Sequence, residues 1–171
     1  MNNKEIIKNL KSGNIVLQME TLQYIANEGN KDILPEVISL LNITDETEIR
    51  DEIIRILEHL KEQECALDIV NAIGNQDYKE ILPILVSASW KNGLDYSDHL
   101  ETFTKVFIEA DFQVAFDAFT VIDTIETIDQ SIVDKCLLRI ENSVEDIKED
   151  KRPLYFELIN IIEDKKENPA N

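Results

Sequence analysis

"DILPEVISLL" (residues 32–41) nearly returns as "EILPILVSAS" (residues 80–89), and the relation between these two stretches decides the fold. Their prolines, Pro35 and Pro83, stand 48 residues apart. Helical faces, read as apolar residues at three- and four-residue spacing, return at a different interval. One series runs Leu34/Val37/Leu41, Leu67/Val70, Leu100/Phe103/Phe107 and Val133/Cys136/Ile140, starting at 34, 67, 100 and 133, a step of 33 each time. Ile7/Leu10 suits an earlier member. A second series interleaves: Leu17/Leu22/Ile25, Ile49/Ile53/Ile54/Leu57, Ile81/Leu85/Val86, Val114/Ala118/Phe119/Ile122 and Leu154/Leu158/Ile159/Ile162. Its steps are 32, 32, 33 and 40. Two helices per unit of about 33 residues is the signature of a helical repeat array. A separation of 48 is then one and a half units, so the two lookalike stretches belong to different series and are not equivalent positions.

Boundary chemistry supports the same reading. Asp45/Glu48, Asp77/Glu80 and, more weakly, Ser131/Asp134 have capping-box spacing. Gly13, Gly29, Gly74 and Gly93 fall where helices should end. Pro35 and Pro153 suit first turns; Pro83 implies a kink, or a helix that begins nearer Lys79. The expectation is five antiparallel pairs, with first helices near 3–12, 31–42, 64–74, 96–110 and 130–146 and second helices near 14–28, 46–61, 78–92, 112–127 and 152–166. A single domain over 1–167 with a frayed tail at 168–171 follows, and the charged loop "NSVEDIKEDKR" accounts for the longer last step.

Composition narrows the function classes. Four Gly and four Pro among 171 residues leave few turn formers, which favours helices over strands. The formal charge is −18, from 35 acids against 17 Lys and Arg. Such a chain repels phosphate backbones and anionic bilayers, which disfavours nucleic acid and membrane and leaves a protein partner with a basic surface as the electrostatic complement. The plainer reading of the same charge is solubility, since a high net charge keeps proteins monodisperse. Cys65 and Cys136 form neither a disulfide framework nor a metal knuckle. No secretory leader or membrane-spanning run is visible, so a cytoplasmic protein is expected.

The stretch "DILPEVISLLNITDETEIRDEIIRILEHL" (32–60) resembles the unit of HEAT-repeat proteins: a Leu-Pro first helix, a short acidic turn and an amphipathic second helix. "NIVLQMETLQYIANEGNKDILPEVISLL" (14–41) fits a second helix running into the next first helix. The likeness is strong to about residue 62 and loose beyond. It departs from the family at two places: "TDET" (44–47) stands for the usual Asp-Pro turn, and Ile53, Ile54 and Ile56 replace small residues. The resemblance implies an all-α fold, a right-handed α-α superhelix of about five helix pairs, and a scaffold that binds protein along an inner face lined by second helices. Counted from the first core residue of each second helix, position three holds Glu20, Glu52, Ile84, Asp117 and Glu157. Position six holds Gln23, Arg55, Ser87, Thr120 and Asn160; position two holds Met19, Asp51, Pro83, Phe116 and Phe156; position nine adds Trp90 and Asp123. The candidate partner-binding set is Glu20, Glu52, Arg55, Ile84, Trp90, Phe116, Asp117, Asp123, Phe156 and Glu157: a carboxylate row beside exposed aromatics. No Lys or Arg lies between Lys105 and Lys135, a stretch holding seven acids. The plainer reading is a solvated charged face, with Phe119 in the core and Phe116 open to either assignment.

Enzyme chemistry finds no foothold in the sequence. There is no Gly-rich phosphate loop, no paired-His or Glu-x-x-His metal motif, no Ser elbow, no Cys-His signature and no calcium loop. His59 and His99 read as surface helix residues, and neither a cofactor nor a metal is expected. HEAT-like DNA glycosylases use a basic concave face, whereas this one is acidic. The expected function is a non-enzymatic protein-binding scaffold or adaptor. The alternatives are an immunity- or antitoxin-type stoichiometric inhibitor of a basic enzyme such as a nuclease toxin and, third, a HEAT-like bilin-lyase-type subunit.

Overall fold

The computed structural model describes residues 1–29 and 31–167, so the tail expected to fray at 168–171 lies outside the described residues. Among the described residues it is all-α, with ten α-helices and no strand. They are α1 (Asn3–Leu10), α2 (Ile15–Glu28), α3 (Leu34–Ile43), α4 (Thr47–Glu58), α5 (Cys65–Gly74), α6 (Leu82–Asn92), α7 (Leu100–Glu109), α8 (Phe112–Thr124), α9 (Gln130–Asn142) and α10 (Arg152–Glu167).

The lookalike stretches share a local device rather than a place in the repeat. In each, a 3-10 turn, Lys31–Ile33 or Gln76–Ile81, leads into an α-helix that opens Leu-Pro. Ile33 and Ile81 are the N-cap residues, and the proline sits in the first turn, where its missing N–H leaves no hydrogen bond unmade. Pro83 therefore produces no kink, because α6 begins at Leu82 rather than near Lys79. Pro153 follows the same rule after the 3-10 turn Glu149–Lys151.

The caps differ from the expected ones. The N-cap of α4 is Glu46, without a side-chain bond, not Asp45. Asn75, not Asp77, caps the turn before α6, and Asp129, not Ser131, caps α9. In the last two cases the residue expected to cap instead donates its own backbone N–H to the side chain that does cap: Asp77 to Asn75 and Ser131 to Asp129. Gly93 closes α6 in the left-handed region at φ 69°, where a Cβ would be strained.

The chain divides into two compact units, Met1–Leu94 and Asp95–Asn171. In the first, α1 packs on α2, α3 on α4 and α5 on α6; α1, α3 and α5 also touch in succession, as do α2, α4 and α6. In the second, α7 packs on α8 and α9 on α10, while α7 touches α9 and α8 touches α10. Each unit is thus two rows of helices, and α3 lies in a first row whereas α6 lies in a second. Between the rows lie Val37, Leu41, Ile53, Leu57 and Leu85 in the first unit and Phe103, Phe107, Ala118, Ile122 and Leu158 in the second, all fully buried. A Phe or Leu removed from water in this way stabilises by about 1.5–3 kcal/mol. Leu67 is the exception to the apolar series: it is 52% exposed, and Ile69 and Ile73 carry that face of α5 instead.

The repeat interval reappears in ion pairs. Lys31 meets Glu64 at 2.8 Å, Glu58 meets Lys91 at 2.6 Å, and Glu101 meets Lys135 at 3.5 Å, at separations of 33, 33 and 34 residues.

Candidate functional site

Second-row helices hold all ten residues of the expected binding face, but the face differs between the two units. In the first unit, Glu20 on α2 is exposed, Glu52 on α4 is mostly covered and Ile84 on α6 is half-buried. Glu52 is already engaged. Arg55, one turn on, donates Nε to its Oε2 at 2.9 Å and a terminal nitrogen to Oε1 at 2.6 Å, a bidentate fork. Glu58 is engaged by Lys91, and the Lys91 ammonium also sits 5.6 Å from the Trp90 ring centroid. Trp90 is 39% exposed. The row in this unit is charged but largely neutralised from within.

The second unit keeps its acids and adds aromatics. Phe112, Phe116 and Phe119 stand at i, i+4 and i+7 on α8, so they form a ladder along one side of the helix. Successive ring centroids are 6.4 Å apart, with planes 20° and 18° from parallel. Phe112 and Phe116 are 42% and 43% exposed, and Phe119 is half-buried. On α10, Phe156 is 61% exposed and braced edge-on by Tyr155 at 5.4 Å. Asp123 and Glu157 are exposed beside them, and Asp117 is half-buried.

Two lysines fix the ends of α10, one against the end of α7 and one against the end of α8. Lys151 enters just before α10 and donates its buried ammonium to the carbonyls of Phe107, Ile108 and Ala110 at 2.9, 2.8 and 2.8 Å, immediately before α8 begins. Lys165, near the far end of α10, donates to the carbonyl of Asp123 at 3.1 Å and to that of Ile125 where α8 ends. The start of α10 therefore lies by the start of α8 and its end by the end of α8, so the two helices run parallel. Burial holds both ammonium groups below the usual lysine range.

A cleft of about 270 Å³ in the first unit escaped the sequence reading. It opens between the C-terminal ends of α2 and α4 and is lined by Ile25, Leu34, Ile56, His59, Lys61 and Cys65 among others. The His59 Nδ1 lies 2.8 Å from the Arg55 carbonyl, so that nitrogen carries the proton and donates. Burial, then the nearby Glu62, Asp68 and Glu64 charges, push the Cys65 thiol up to about 11, which makes it a poor nucleophile. Among the described residues no group of three or more His, Cys, Asp or Glu is placed to hold a metal ion, and no helix is long and apolar enough to cross a membrane.

Sequence spacing could have found the Phe112 rung, since "FQVAFDAF" already shows the i, i+4, i+7 pattern. It also shows Glu52 and Arg55 one turn apart, the commonest route to a self-neutralised pair. No protein-family model matches the chain, and a comparison with curated proteins finds no match.

Proposed function

We propose that this chain is a non-enzymatic protein-binding scaffold of the HEAT-like kind, an α-α superhelix of stacked helix pairs acting in the cytoplasm, whose acidic second-helix face holds a partner protein with a basic surface. The pairing of helices within each unit and the 33-residue ion pairs support the solenoid reading. The observation that carries the binding reading is the set of exposed rings, Phe112 and Phe116 on α8, which has no Lys or Arg, and Phe156 on α10, with Asp123 and Glu157 exposed on the same two helices. Exposed aromatics grouped beside an excess of acidic charge are uncommon on a surface that only meets water. A second reading, a stoichiometric inhibitor of a basic enzyme, is favoured by the run of seven acids without a cation between Lys105 and Lys135.

Parallel affinity capture from the source cell tests it, with wild-type protein and an Asp123→Lys/Glu157→Lys variant as baits at low and at moderate salt. A basic protein recovered stoichiometrically by wild type and lost with the variant supports the reading; identical recovery by both baits would remove it. If that protein is a nuclease whose activity disappears in the complex, the inhibitor reading replaces the scaffold reading.

A further inference from the structure

In the second unit α8 and α10 run parallel and touch, and the face they form carries the ladder Phe112, Phe116 and Phe119 on one helix and the exposed Phe156 on the other. Asp123, Glu126, Glu157 and Glu163 are exposed around it. Among the described side chains, two cations stand near it, and one of them, Lys165, feels the charges of Asp123 and Glu126. The Lys165 ammonium is turned onto two carbonyls at the C-terminal end of α8, and Arg152 stands at the first residue of α10. We infer that this face receives an amphipathic helix of a partner protein that carries arginines beside apolar side chains, and that arginine rather than lysine is what it recognises. The inference rests on the protein-binding reading above and narrows it to one unit and one side-chain chemistry.

The argument is chemical complementarity. A face that carries both exposed rings and exposed carboxylates suits a cation that is both planar and forked. A guanidinium stacks on a Phe face and at the same time donates two parallel N–H groups to a carboxylate, whereas an ammonium is a compact, strongly hydrated point charge that does neither as well. The near-parallel ring planes of the ladder give several equivalent stacking positions along α8. The groove between two parallel helices suits a third helix, whose i, i+3 and i+4 anchors match the helical spacing of the rings. The first unit offers no such face, since there the guanidinium is supplied in cis by Arg55 to Glu52.

The test uses the full chain and two synthetic amphipathic helical peptides of leucine with arginine or with lysine at the same positions, and a third with glutamine there. Affinity is read by titration calorimetry at low and moderate salt. The arginine peptide should bind best, with the lysine peptide about fivefold weaker and the glutamine peptide at least tenfold weaker. Phe116→Ala/Phe156→Ala should weaken the arginine peptide about tenfold and leave the lysine peptide nearly unchanged. Both rings are exposed, so the fold is retained; Phe116→Leu/Phe156→Leu, checked by circular dichroism, keeps apolar area while removing the stacking face and should weaken the arginine peptide as the alanine pair does. Equal binding of the two cationic peptides, or unchanged affinity in both Phe variants, overturns the arginine assignment while the basic-partner reading stands. Tighter binding of the glutamine peptide, or self-association of the chain through this face, overturns both.

Discussion

Lys151 is the side chain whose removal should most disturb the second unit. Its side chain is 1% exposed, yet it meets no carboxylate; its ammonium is satisfied by three carbonyls at 2.8–2.9 Å and lies 5.8 Å from the Phe107 ring centroid. Those carbonyls belong to the C-terminal end of α7, where helices leave acceptors without intrahelical partners. Lys151→Met keeps the length of the stem and deletes the donors. The bond to Phe107 is buried, so its acceptor would lose its partner with no water to replace it, at about 1–3 kcal/mol. The bonds to Ile108 and Ala110 are only partly buried, so water replaces them for a residual loss of about 0.5 kcal/mol each. The total is about 2–4 kcal/mol, or a shift of roughly 1–2 M in a urea midpoint.

Far-UV circular dichroism against urea reads this, with Lys148→Met as the control, because Lys148 is three residues away and exposed. Trp90, the chain's single tryptophan, lies in the first unit, so its fluorescence follows that unit independently. The pH dependence has a definite sign. Burial first, and the Lys148 charge second, lower the native ionisation of Lys151, so between that value and the ordinary 10.5 the unfolded chain binds the proton that the native chain has released. This residue's contribution therefore rises as pH climbs through that window, and the gap between wild type and Lys151→Met must widen rather than close. A variant no less stable than Lys148→Met, or a gap that closes with rising pH, would refute the reasoning.

Cys65 works in the opposite sense: its native thiol ionises near 11 against a reference of 9.0, so the native chain holds the extra proton and stability is lost as pH rises through that interval, a slope that Cys65→Ala should flatten in alkaline urea titrations. At pH 8 only about one thiol in a thousand is ionised there, so a disulfide reagent should label neither buried cysteine until denaturant is added. Leu57→Ala, at a fully buried position between α4 and its neighbours, should cost about 2–5 kcal/mol, read by Trp90 fluorescence, whereas Leu67→Ala on the exposed side of α5 should stay within about 0.5 kcal/mol. Glu52→Gln should weaken the arginine fork without measurable loss of fold, since Arg55 is exposed and the pair is screened; a thermal midpoint unchanged within error is the expected outcome.

Much of this architecture was legible because periodicity is a property of burial, and burial is what drives these helices together. Val37, Leu57, Phe103, Ile122 and Ile140 fall on the two interleaved series and are fully buried. What was not legible depends on competition between near neighbours. Asp45 and Glu46 both suit a cap, and the sequence does not say which one the chain turns at. Leu67 has the right type and spacing but points outward, because Ile69 and Ile73 pack better on the same helix. The expected face was readable as a row of positions, yet its electrostatics were not. Row arithmetic counts Glu52 and Glu157 as equals, whereas one is forked by Arg55 and the other stands exposed beside Phe156.

Where the cations sit gives the charge of −18 a structural meaning. Several of them are held at the C-terminal ends of helices, where the carbonyl dipoles favour positive charge. Arg50 donates to the carbonyls of Leu41 and Thr44 at the end of α3, Lys151 to the end of α7, and Lys165 to the end of α8. Others, Lys11, Lys31, Lys91 and Lys135, tie one helix pair to the next within a unit. Neither group can swing out to neutralise a helix face without uncapping a helix or loosening a joint. The acidic excess is therefore concentrated around α8, which lies in the cation-free stretch between Lys105 and Lys135, and only Lys165 of α10 brings a positive charge near its Asp123 and Glu126.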